Sequence, residues 1–83
     1  MREIKINKKY FKVLDLLGGE PEIIDDEVVC NELDLQDAAT NLEIHIEDPG
    51  VYSNDAEVFA AIDELGIESY QMLELIRHFI KKM

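Results

Sequence analysis

His45, Cys30, Ser69 and several runs of carboxylates are the residues of this 83-residue chain whose types could do chemistry. His45 lies between Ile44 and Ile46, two residues before Glu47. On an extended segment the two would share a face, as a pair of metal ligands would. Two ligands do not make a site, and His78 is far along the chain. The expectation is therefore two ordinary surface histidines and no metal. Cys30 follows Val28 and Val29 and reads as a buried, inert thiol. A nucleophilic thiol needs a nearby base and an electropositive setting, whereas acidic neighbours raise its pKa. As the only cysteine, it can form no internal disulfide. Asp25, Asp26 and Glu27, with Glu20 and Glu22 before them, offer oxygen ligands to a divalent cation. They lack the ligand spacing and internal glycine of an EF-hand loop, and Asn31, Asp34 and Asp37 also fit no calcium spacing. Gly18-Gly19 is isolated and followed by Glu20, which repels phosphate. No constellation supports an enzyme, and no cofactor is expected.

Ser69 carries the most specific local signal. Leu65-Gly66-Ile67-Glu68-Ser69, followed by Glu74-Leu75, resembles the attachment motif of acyl carrier proteins. The resemblance implies an all-helical bundle with Ser69 as the phosphopantetheine attachment point. Glu68 would replace the usual Asp, and Glu74-Leu75 would lie on the helix that partners read. Tyr70 stands where the family usually carries Leu, and only residues 70–83 follow the serine.

Charge is the most distinctive property of the chain. Lys plus Arg number 8 against 19 Asp plus Glu, a net charge of −11. Every base lies near an end: Arg2, Lys5, Lys8, Lys9 and Lys12 on one side, Arg77, Lys81 and Lys82 on the other. Between them, residues 13–76 hold 18 acids and no Lys or Arg. Such a balance argues against direct binding to nucleic acid, which needs clustered cations facing phosphates. Either the basic ends fold over the acidic middle, or that middle projects a negative field able to dock a basic partner.

The elements that must position these groups follow from periodicity. Ile4 and Ile6 alternate with charged neighbours, a short strand over Arg2 to Ile6. Asn7 caps a helix running to Leu17, whose Tyr10, Val13, Leu14 and Leu17 form a helical stripe stopped by Gly18 and Gly19. Ile23, Ile24, Val28, Val29 and Cys30 have strand character. The carboxylates between them favour a turn or exposed segment over a buried central strand. Residues 31–41 hold a short helical turn around Gln36 to Thr40. Leu42, Ile44 and Ile46 alternate with Glu43, His45 and Glu47, the cleanest strand in the chain, before the turn Asp48-Pro49-Gly50. Asn54 and Glu57 have capping-box spacing for a helix carrying Val58, Phe59, Ile62 and Leu65 and ending at Gly66. Glu68 opens a last helix carrying Met72, Leu73, Ile76, Phe79, Ile80 and Met83.

Residues 1–83 therefore read as one α+β domain, a small antiparallel sheet packed with an N-terminal helix and two C-terminal amphipathic helices. Apolar residues make up 47% of the chain, enough for a globular core and not for a disordered tail. The longest apolar runs, such as 58–62, are too short to span a membrane, and Met1 to Tyr10 has no apolar signal core. A soluble, cytoplasmic protein is expected. Its leading function is non-catalytic binding: an inhibitor-like protein, of the DNA-mimic kind, docking carboxylates on a basic, nucleic-acid-handling partner. Asp25, Asp26 and Glu27 form one expected patch, and Glu43, Glu47 and Asp48 another. A homo-oligomer or adaptor associating through Met72, Ile76, Phe79, Ile80 and Met83 is the second reading. The carrier reading through Ser69 is the third.

Overall fold

The computed structural model describes residues 2–81. Three strands, β1 (Glu3–Ile6), β2 (Glu22–Ile24) and β3 (Glu27–Asn31), form an antiparallel sheet in the order β1-β3-β2. Four helices, α1 (Phe11–Leu16), α2 (Glu32–Glu47), α3 (Asp55–Glu64) and α4 (Ser69–Lys81), accompany it. The α+β architecture expected from periodicity is the one found. The all-helical bundle implied by the carrier resemblance is not, because residues 3–6 and 22–31 pair as a sheet ahead of Ser69.

Alternation sets the two faces of the sheet. Ile4 and Ile6 pair with Cys30 and Val28, and all four are buried against the helices. Glu3, Lys5, Glu22, Ile24 and Glu27 lie on the opposite face and are exposed. The acidic Asp25-Asp26 pair is the two-residue hairpin turn between β2 and β3, with φ of 51° and 66°. Positive φ at both central residues is the turn geometry that matches strand twist. The carboxylates thus mark the turn as expected, yet β3 that follows is the central strand. Only its first residue, Glu27, is acidic, and Val28, Val29 and Cys30 are buried.

The side chain of Asn7 accepts from the Lys9 N–H at 2.9 Å and starts a short 3₁₀ turn, Lys8–Tyr10, that leads into α1. After Leu17, the N–H groups of Gly18 and Gly19 return to the carbonyls of Asp15 and Leu14 at 3.1 and 2.8 Å. This closure needs the left-handed φ of 81° at Gly18.

The segment 42–46, expected as a strand, is the last third of α2. Over six residues its alternation fits a period of two. Over Leu35, Ala38, Ala39, Leu42 and His45, all buried, the spacing is helical. Asn31 caps this helix by accepting from the Leu33 N–H at 2.8 Å, and Glu32 and Asp34 suit its positive end. The core joins Val13, Leu14 and Leu17 of the first helical segment to Leu35 and Leu42, to Val58 and Ile62, and to Met72, Leu73 and Ile76. Among the described residues no helix is long and apolar enough to cross a membrane.

Candidate functional site

Among the described residues, four ion pairs join the basic ends to the acidic middle. Arg2 meets Glu32 at 3.0 Å, Lys8 meets Asp26 at 2.8 Å, Lys12 meets Glu64 at 3.8 Å and Arg77 meets Glu43 at 2.6 Å. Each expected acidic patch therefore gives one carboxylate to a cation of its own chain. At the hairpin tip Asp26 is engaged by Lys8, while Asp25 and Glu27 are exposed. On α2, Glu43 is engaged by Arg77; Glu47, one turn on, and Asp48, at the helix end, are exposed. Glu43 and Glu47 share a face, but through helical rather than strand spacing. The Lys8, Lys12 and Arg77 pairs are exposed, contribute little stability and are screened by salt, whereas Arg2 and Glu32 are half-buried.

A third set of carboxylates is gathered more closely. Glu3, Glu20, Glu22 and Asp34 line an open groove of about 560 Å³, with Pro21, Val29 and Asn31. The strand register builds it: Glu3 stands opposite Asn31 and Glu22 opposite Val29, so β1 and β2 present acids on either side of β3. Glu20 enters from the connection after α1, with a positive φ of 47°, and Asp34 from the first turn of α2. Among the described residues, none of these four carboxylates is in an ion pair with Lys, Arg or His. Among the same residues no three His, Cys, Asp or Glu side chains are grouped closely enough to hold a metal ion. The groove is thus a set of spaced anions and not a chelate. Glu20, Glu22 and Asp34 drew notice in the sequence only as cation ligands. Their convergence depends on the β1-β3-β2 order, which no local pattern states.

His45 is not a surface histidine. Its side chain is 2% exposed, and its Nδ1 hydrogen bonds to an oxygen of Asp55. A carboxylate has no proton to donate, so Nδ1 carries the hydrogen. The second Asp55 oxygen accepts from the Gly50 N–H, and the two bonds, that from His45 first, hold the Asp55 carboxyl below its ordinary value. Tyr52 stacks obliquely on His45, ring centres 4.8 Å apart, and donates to Asn41 Oδ1 at 2.9 Å. Asn41 in turn donates to the Leu17 carbonyl at 2.7 Å, and Asn54 to the Leu16 carbonyl at 3.2 Å. The expected capping side chain of Asn54 is therefore diverted to α1. These groups surround a space of about 180 Å³, small for a substrate, and fasten the 48–54 connection to α1 and α2.

Cys30 is buried, and its thiol is pushed up to about 11 by desolvation and by the nearby Asp34 carboxylate. That is the inert state the sequence suggests. On α4, Met72 and Ile76 have no exposed surface, so they hold the core and offer nothing to a partner. Phe79 and Ile80 are half-buried against the same core, and Met83 lies outside the described residues. Ser69 opens α4 and is half-exposed; the Glu68 N–H before it donates to Gln71 Oε1 at 2.8 Å. No protein-family model matches this chain, and neither a curated protein nor a solved structure is significantly similar to it.

Proposed function

We propose that this chain is a non-catalytic binding protein that docks a carboxylate-lined groove on a basic protein surface. The observation that carries the reading is the convergence of Glu20, Glu22 and Asp34, with Glu3 at the rim, around one concavity without an ion-pairing cation from the described residues. Spaced anions of this kind suit a fixed array of Lys and Arg, such as the groove in which a nucleic-acid-handling protein holds phosphates. An inhibitor acting as a phosphate mimic is the concrete form. The exposed Asp25, Glu27, Glu47 and Asp48 extend the negative field that would steer association. A cytoplasmic setting suits its lone, buried cysteine.

Two charge-reversal variants test this reading. Glu22→Lys with Asp34→Lys acts in the groove; Glu57→Lys with Asp63→Lys makes the same change in net charge on the exposed face of α3. Capture of basic proteins from a nuclease-treated lysate should fall steeply with salt and be lost in the groove variant alone. Equal loss in both variants would reduce the interaction to net charge and remove the groove from it.

A further inference from the structure

Among the described residues no strand pairs with the outer edge of β1, because the sheet order is β1-β3-β2. The Glu32 N–H donates to the Arg2 carbonyl at 2.9 Å, which extends the β1–β3 register by one pair. Hydrogen-bonded pairs alternate along an antiparallel ladder, so Arg2, Ile4 and Ile6 direct their backbone groups at β3. Glu3 and Lys5 therefore turn their N–H and C=O groups away from the sheet. Beside this edge runs a groove of about 580 Å³, lined by residues 2–7 together with Tyr10 and Phe79, whose rings are 5.7 Å apart. Glu3 and Lys5 are exposed on the outer face, and neither is in an ion pair among the described residues.

We infer that the occupant of this edge is β1 of a second copy of the chain, added antiparallel about a two-fold axis at Ile4. In that register Glu3 of each copy exchanges backbone hydrogen bonds with Lys5 of the other. Their side chains then stand directly opposite with unlike charge. The parity of the outward groups allows a shift only by two residues. One such shift sets Glu3 against Glu3 and the other Lys5 against Lys5, so charge selects the register centred on Ile4. No other strand edge offers this match: β2 carries only Glu22 as a charged residue, and its hairpin continues into Asp25 and Asp26. The product is a six-stranded sheet, β2-β3-β1 joined to its symmetry mate. Because the axis is perpendicular to the sheet, both outer faces look the same way, and Glu20, Glu22 and Asp34 of both copies open to one side. The inference does not rest on the docking reading, although it takes Glu3 from the rim of the acidic groove into a pair with Lys5 of the second copy.

Light scattering and sedimentation of the full chain across a concentration series test it. The wild type should reach twice the chain mass. Glu3→Lys and Lys5→Glu should each be monomeric, since each sets like charges opposite one another, and an equimolar mixture of the two should recover the dimer. Lys5→Pro removes an outward N–H and leaves the bonds to β3 intact, so it should stay monomeric with an unchanged circular dichroism spectrum. A wild type that remains monomeric at every concentration overturns the proposal. So does a dimer that survives Lys5→Pro, or one that mixing the two charge variants does not restore.

Discussion

Asp55 binds the buried His45 through one carboxylate oxygen and the backbone of Gly50 through the other. One side chain at the start of α3 thus fastens the end of α2 and the 48–54 connection that follows it. Among the described residues no other acid joins three consecutive segments in this way.

Acid should loosen this joint. A carboxyl whose pKa lies lower in the folded than in the unfolded chain stabilises the fold above the unfolded value and loses that contribution as pH falls through the folded one. Asp55 is such a group, lowered from 3.8 first by the bond from His45 and then by that from Gly50. Thermal unfolding followed by circular dichroism should show stability falling as pH drops below about 4. In Asp55→Asn that part of the acid dependence should vanish, and the neutral-pH melting temperature should be lower.

Asn41 serves two acceptor–donor partners at once, the Leu17 carbonyl and the Tyr52 hydroxyl. Truncating it leaves both without their partner in a half-buried place. Asn41→Ala should cost about 1–3 kcal/mol in chemical denaturation. Tyr52→Phe should cost less, since only the Asn41 oxygen then lacks its bond.

The hairpin tip tolerates improvement. Asp25 and Asp26 both hold a positive φ, a conformation that asparagine and glycine adopt more readily than aspartate. Asp25→Asn with Asp26→Gly should raise stability by about 1 kcal/mol. The exposed Lys8–Asp26 pair lost in the change is worth less than that. A fall in stability would show that the Lys8 contact, and not the backbone, governs the turn.

Cys30 should ignore thiol reagents at pH 8 until the chain unfolds, because the thiol is buried and pushed up to about 11. An acid whose pKa is raised by folding stabilises the fold fully below its unfolded value, here 9.0, and loses this as pH rises toward the folded one. Alkaline unfolding should therefore set in above about pH 9 and shift upward in Cys30→Ala. Rapid labelling of the native protein by a disulfide reagent would contradict the buried placement.

Much of this architecture is readable in particular residues. Asn7 and Gly18 bracket the first helical segment because capping and left-handed geometry are local requirements. Val58, Ile62, Met72 and Ile76 repeat at helical spacing, and all four are buried. The strand expected at 42–46 failed because a six-residue window cannot separate the two periods, and the small Ala38 and Ala39 conceal the stripe that continues it. The burial of His45 has the same cause: it belongs to that stripe, three residues after Leu42, and its partner Asp55 lies across a turn. No local pattern shows the acidic groove, because Glu3 and Glu22 become neighbours only through the central strand between them, which pairs Glu3 with the distant Asn31.

The Lys and Arg bridges also bear on the chain before it folds. Arg2 reaches 30 positions along the sequence to Glu32, and Arg77 reaches back 34 to Glu43. Until those distant stretches meet, the middle of the polypeptide behaves as a polyanion without nearby counter-charge, and its repulsion swells the denatured coil. Raising ionic strength should contract that coil, a change that small-angle scattering in denaturant would register directly.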